Sequence, residues 1–366
     1  MRMKPDVMDH VVVGMSGGVD SSVAAAKLVD DGYHVIGVML RLWSDEKAGA
    51  ENRCCTLEST QIAKQIAANL GIPFYVINAQ EQFHSTVVRY FADSYYDGFT
   101  PNPCVICNRT IRWGYLLDIA RSLGANYLAT GHYARIRKDS NDGYQLMRGI
   151  DGGKDQSYVL SMLNQEQLSQ TLLPLGDYHK EQVREMARAY HLPVSERPDS
   201  QDLCFLAGGD YREFLQRYFE NDTTSGEIVD RSGVVLGKHD GLQGYTIGQR
   251  KGLKLSSAEP YYVMAIDRKK NQLVVGHHDE LGRTSFTVTG INWISGEAPT
   301  SDLQVNVKIR YRSSLHPAII HPDNNTALVE LKQPVRDITP GQFAVFYMDD
   351  IVIGAGVIGT GLPEKD

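Results

Sequence analysis

The stretch Gly14-Met15-Ser16-Gly17-Gly18-Val19-Asp20-Ser21-Ser22 decides the fold. An apolar run, Val11 to Val13, precedes it and a helix-compatible stretch, Ser22 to Val29, follows, so the local reading is strand, glycine turn, helix. Such a turn aligns backbone N–H groups at a helix N-terminus, where unpaired donors and the helix dipole both favour an anion. Gly17 and Gly18 let the backbone approach a phosphate closely, and Ser16, Ser21 and Ser22 can add hydroxyl donors. The predicted ligand is a phosphate chain. No lysine follows the glycines, as a G-x-x-x-x-G-K-[ST] loop requires, and the G-x-G-x-x-G spacing is absent as well.

Working outward, apolar strands and helix patterns alternate up to about Tyr133: strand, helix to Asp31, strand His34 to Leu42, helix Leu57 to Leu70, strand Phe74 to Ile77, helical stretches, strand Asn126 to Thr130. This pattern predicts a doubly wound parallel sheet with helices on both faces. Ligands of such sheets sit at the strands' carboxyl ends, so Leu40 and Gly131 are expected beside the loop's ligand. After about residue 212 the stretches become short and alternating, separated by Gly, Asn, Asp and Pro, which reads as antiparallel strands. The expected organisation is a catalytic α/β domain over 1–212, a small β-rich connecting domain over 213–283 and a C-terminal β-barrel over 284–366.

At 366 residues, with 42% hydrophobic and 22% charged residues, the chain has the composition of a globular protein with a sizeable core. Its net charge of −7 argues against a generic DNA coat and leaves RNA open, because phosphate contacts need only a local basic patch. Two such clusters stand out, Arg250, Lys251 and Lys254, and Arg268, Lys269 and Lys270. No apolar run approaches a membrane span and MRMKPDVMDH lacks a signal core, so a cytoplasmic location without membrane association is expected.

Five cysteines without a secretory signal do not suggest a disulfide framework. In TPNPCVICNRTIRW, Pro101 and Pro103 break helical continuation, which predicts Cys104 at a loop mouth and Cys107 at the start of a helix, where a thiolate is favoured. Cys204, in DSQDLCF, is compatible with a second loop over the same cleft. Cys54 and Cys55 fall in a charged surface stretch, SDEKAGAENRCC, and receive no role.

SGGVDSS resembles the PP-loop of the ATP pyrophosphatases, which split ATP between its α- and β-phosphates. Together with TPNPCVICNRTIRW, GHYAR, KDQSYVL, DSQDLCF and YTIGQRKGL, in this order along nearly the whole chain, it resembles the bacterial tRNA-specific 2-thiouridylase family. The resemblance implies ATP held by residues 14–21, by Leu40 and by Gly131, with Asp20 helping to hold its Mg2+. It implies Cys107 as nucleophile and Cys204 as persulfide carrier, with a disulfide between them as one outcome. It also implies that tRNA, that of Lys, Glu and Gln, meets Asn102, Pro103, Cys104, His132, Lys154, Asp155, Gln156, Tyr311, Arg312 and Gln342, and that a cysteine desulfurase or sulfur-relay protein donates the persulfide. Many relatives carry aspartate where this chain has Cys104, and a thiol does not inherit an acid's role. That departure opens a rival in which Cys104, Cys107 and Cys204 ligate a [4Fe–4S] cluster. Two other function classes remain as alternatives, an ATP-dependent ligase or amidotransferase and a non-catalytic RNA-binding module.

Overall fold

The computed structural model describes residues 9–43, 56–140, 142–198, 203–206, 209–218 and 224–360. Residues 44–55, which include Cys54 and Cys55, lie outside the described residues, as do Asp199, Ser200, Gln201 and Asp202 of the DSQDLCF segment.

Strands β1 (His10–Gly14), β2 (His34–Arg41), β3 (Phe74–Asn78), β4 (Tyr127–Ala129) and β7 (Thr171–Leu172) form a parallel sheet in the order β3-β2-β1-β4-β7. Val11, Val12 and Val13 of β1 are fully buried, as expected of a strand covered on both faces. Helices α1 (Val19–Asp30) and α2 (Leu57–Asn69) follow β1 and β2. After β1 the chain builds outward through β2 and β3, then crosses to β4 on the other side. The carboxyl ends of β1 and β4 therefore flank a topological switch point, the crevice where open α/β sheets bind ligands.

The alternation thus holds, with element ends shifted by a few residues at most. The sequence reading missed a hairpin, β5 (Ala134–Lys138) and β6 (Tyr144–Arg148), which leaves this sheet and pairs with the C-terminal one through Met147 and Ile351.

Strands β8 (Gly226–Val229), β9 (Val235–His239), β10 (Tyr262–Asp267) and β11 (Gln272–Gly276) make a small sheet in the order β10-β11-β8-β9. The C-terminal strands are β12 (Arg283–Trp293), β13 (Leu303–Lys308), β14 (His316–Asp323), β15 (Thr326–Val335), β16 (Phe343–Met348) and β17 (Ile351–Ile358). They run antiparallel, and the β12–β17 pairing closes them into a barrel. Its core is Phe286, Val288, Val307, Ile320, Val329 and Phe346, contributed by alternating strand positions. No helix among the described residues is long and apolar enough to cross a membrane.

Candidate functional site

The glycine turn leaves β1 at Gly14 and enters α1 with Gly18 as its cap, without any side-chain cap bond. The helix's first N–H groups are thus left for a ligand. Within the turn, Ser16 N donates to Ser21 Oγ at 3.1 Å, and Ser22 Oγ donates to the Gly18 carbonyl at 2.7 Å. Gly17 has φ +72°, and a Cβ there would stand 2.5 Å from the Ser59 carbonyl oxygen. Gly131, just past β4, abuts the start of α1: a Cβ on it would lie 2.6 Å from the carbonyl carbon of Asp20. The sequence-based placement of Gly131 at the loop therefore has a direct geometric counterpart.

Three further residues converge on the turn, and the sequence reading named none of them for it. Lys180, first residue of α3 (Lys180–Ala189), places Nζ 2.7 and 2.9 Å from the two carboxylate oxygens of Asp20 and is 8% exposed. Tyr133 donates its hydroxyl to Asp20 Oδ1 at 2.7 Å. Arg197 donates to the Gly17 carbonyl at 2.9 Å and to Ser59 Oγ at 3.1 Å, tying loop to α2. Tyr133 had a legible signal, since it stands two residues beyond Gly131 at a strand's carboxyl end. Lys180 had almost none, because the strand leading to its helix, β7, is two residues long.

The cysteine loop differs from its sequence reading in register. Asn102 caps a helix that begins at Pro103, its Oδ1 accepting from Val105 N at 3.3 Å, and the helical path continues through Asn108–Leu116 and Leu117–Ser122. Pro103 fits the first helical position because its missing N–H has no partner to lose. Cys104, expected at a loop mouth, is therefore the second helical residue and exposed; Cys107, expected at the helix start, closes the first turn and is 8% exposed. The helix N-terminus acts on Cys104 more directly than on Cys107.

Cys107 belongs to an apolar cluster with Leu42, Phe91, Phe205 and Phe214, and Cys204 and Leu40 pack against the same cluster. Cys104 is not part of it. No group of three His, Cys, Asp or Glu side chains among the described residues is placed to hold a metal ion. In this conformation Cys104 is not gathered with Cys107 and Cys204 into such a group.

The barrel holds this loop from behind. Gln342, 9% exposed, donates Nε2 to the carbonyls of Thr100 at 2.8 Å and Pro101 at 3.1 Å, and Thr100 N donates to the Pro340 carbonyl at 2.9 Å. Asn102 bonds the Tyr158 hydroxyl, which donates to the Phe343 carbonyl at 2.9 Å. Tyr311 bonds Gln156, and its phenol is pushed up by burial, then by the nearby charges of Asp155 and Cys104. Asn102, Cys104, Gln156, Tyr311 and Gln342 are thus brought together, and exposed Arg312 follows Tyr311.

Asp155 faces inward instead. At 4% exposure it accepts from Gly149 N, Ser157 N, Ser157 Oγ and Arg148 Nε within 3.3 Å, a set that anchors the turn carrying Lys154 and Gln156. His132 is buried, shares a 2.6 Å hydrogen bond with Thr130 and tilts against Trp113 at 5.6 Å. Burial, and then the Arg112 charge, hold its pKa well below 6.5, so the ring is neutral at pH 7.

Fold and site define a chain with a glycine turn at the carboxyl end of a parallel sheet, two thiols at one apolar cluster of the same domain, and β-rich domains after it. Three family models cover it: the tRNA methyl transferase HUP domain over 9–208, the tRNA methyl transferase PRC-barrel domain over 212–277 and the aminomethyltransferase beta-barrel domain over 283–358. The tRNA-specific 2-thiouridylase MnmA 1 of Caldanaerobacter subterraneus subsp. tengcongensis is 46% identical over 96% of this chain and 98% of its own. The tRNA-specific 2-thiouridylase MnmA of Chloroflexus aggregans is 48% identical over 96% and 98%. A solved 4-thiouridine synthetase in complex with RNA and ATP is 17% identical, with a TM-score of 0.36 over 57% of this chain and 50% of that one. The chain belongs to the tRNA-specific 2-thiouridylase family.

Proposed function

We propose that this protein carries out ATP-dependent 2-thiolation of uridine at the wobble position, U34, of tRNA. The observation that carries the proposal is that Leu40, at the end of the strand beside the glycine turn, packs on the cluster that holds both Cys107 and Cys204. Activation at the loop and sulfur delivery by the thiols are thereby neighbours. The family-model descriptions speak of methyl transfer, whereas the near half-identical relatives bear the thiouridylase name.

Uracil O2 is a poor leaving group. Its attack on the α-phosphorus of ATP forms an O–P bond, breaks the α–β anhydride and expels pyrophosphate, leaving AMP as the group to be displaced from C2. The backbone N–H groups at the start of α1 serve the phosphates, and Lys180 supplies the cation that the turn itself lacks. Asp20 suits Mg2+, which is commonly held by one or two carboxylates and the substrate's own phosphates and there offsets phosphate charge. Lys180 and Tyr133 orient that carboxylate.

In the sulfur half, Cys204 carries a persulfide received from a donor protein such as a cysteine desulfurase or a sulfur-relay protein. In one route the Cys107 thiolate attacks the inner sulfur, closing a Cys107–Cys204 disulfide and releasing hydrosulfide, which adds to C2 and displaces AMP. In the other the terminal sulfur adds to C2 and displaces AMP, and the Cys107 thiolate then attacks the Cys204 sulfur, breaking the persulfide S–S bond, closing the disulfide and leaving the sulfur on C2. Either way a thiol reductant resets the pair. Asn102, Cys104, Gln156 and Tyr311 surround the target base, and the tRNAs for Lys, Glu and Gln are the proposed substrates, modified in the cytoplasm.

Incubation with ATP, a persulfide donor, reductant and unmodified tRNA, followed by nucleoside analysis, tests this. The expected products are 2-thiouridine, AMP and pyrophosphate. AMP and pyrophosphate without thiolated RNA would point to the ligase class, and ADP would contradict the loop's role.

A further inference from the structure

The barrel carries a groove of about 780 Å³ lined by Arg310, Arg312, His316, Lys332 and Arg336, with Asp337 as the one acid among its lining residues. In a chain of net charge −7 this concentration of cations is an outlier. Surface lysines and arginines usually meet a carboxylate or an aromatic ring of their own chain, and the basic clusters of the middle sheet mostly do. Lys254 pairs with Asp240 at 2.7 Å, Lys270 with Asp267 at 3.9 Å, and Arg268 lies 4.2 Å over the Tyr96 ring. The groove differs. Among the described residues no carboxylate pairs with Arg310, Arg312, Lys332 or Arg336, and Arg310 Nε is buried with no hydrogen-bond partner.

Position matters as much as charge. Arg310 and Arg312 flank Tyr311, whose phenol senses Cys104, so the groove begins where the cysteine loop's surface ends. Its rim is fixed against the middle sheet's segments: Arg310 donates to the Ile247 carbonyl at 3.3 Å and Arg336 meets His278. Gly248 lies against Asp337, which brings exposed Arg250 and Lys251 of the same loop to that side.

We infer that this groove seats the sugar–phosphate backbone of the tRNA, away from the reacting base, with Lys332 and Arg336 as phosphate contacts. The inference rests on the proposed tRNA reaction and assigns it a subsite. An RNA whose base reaches Cys104 must leave along its backbone, and the path past Arg312 leads into unpaired cations, which gain from phosphate without first breaking an ion pair. Such contacts position RNA without reading sequence, so they act on all substrate tRNAs alike.

The test compares the wild-type protein with Lys332→Glu/Arg336→Glu and with Lys332→Arg/Arg336→Lys, measuring tRNA affinity across salt concentrations and thiolation kinetics. Both side chains are exposed, so the melting temperatures should match. The charge-reversed protein should bind tRNA about tenfold or more weakly at physiological salt, its salt slope lowered by about two, its KM for tRNA rising far more than kcat falls. Each substrate tRNA should lose affinity by a similar factor, and the charge-conserving pair should restore binding. Wild-type affinity and slope in the charge-reversed protein would overturn the groove's role while leaving the reaction standing. A wild-type protein that neither binds nor thiolates tRNA would overturn both.

Discussion

The glycine turn and the cysteine region occupy neighbouring parts of one domain and are built in opposite ways. The turn is preassembled: its hydroxyls bond its own backbone, Arg197 pins the Gly17 carbonyl, and Lys180 and Tyr133 fix Asp20. The thiols come from segments about a hundred residues apart and meet at an apolar cluster, while the loop before Cys104 is held by a barrel glutamine. Activation of a substrate by charge needs fixed dipoles that do not reorganise as charge develops. Sulfur relay needs a thiol reachable first by a donor and then by a base. On the proposed reaction, the difference in construction follows from the difference in task.

Lys180→Met gives the largest break in this comparison. It removes the cation beside Asp20, and pyrophosphate release should fall about 100- to 1,000-fold while persulfide loading of Cys204 continues. A pyrophosphate assay alongside sulfur labelling measures both, and equal losses in the two would merge regions held here to be separate. Next comes Gly131→Ala. Its methyl would press on the Asp20 backbone and move the turn, lowering kcat/KM for ATP about 100-fold with tRNA binding retained.

Gln342→Leu acts from the other side. It strips the Thr100 and Pro101 carbonyls of their buried donor, costing about 1–3 kcal/mol of stability and weakening thiolation while leaving the KM for ATP near wild type. A thermal melt with ATP kinetics checks it.

The smallest effect concerns His132. Its folded pKa lies well below the 6.5 of an exposed ring, so the unfolded chain binds a proton that the folded one refuses between those two values. Its contribution is fully present above about pH 6.5 and is lost as pH falls below that value. His132→Gln should flatten this part of the stability–pH curve; an unchanged acid limb would assign it to other groups.

How much of this was legible followed the range of the interactions. The strand-turn-helix, the alternating sheet and the β-rich second half are local patterns, and they read correctly from Val11 onward. The β5–β6 hairpin was not read, because a short alternating strand looks the same whichever sheet its edge joins. Cys104 and Cys107 sit one turn from where the sequence alone puts them, because Pro103 opens a helix instead of breaking one. Gly131 was found through the carboxyl-end rule. Lys180 and Arg197 were missed because a partner 160 or 180 residues away leaves no periodic trace.

The central claim is that activation and sulfur transfer are separable steps joined at Cys107 and Cys204. Cys107→Ser and Cys204→Ser proteins, given ATP, persulfide donor and unmodified tRNA, measure it directly through pyrophosphate released and 2-thiouridine formed. Both variants should bind tRNA and release pyrophosphate near the wild-type level while forming no 2-thiouridine. Near wild-type thiouridine formation in either would contradict it.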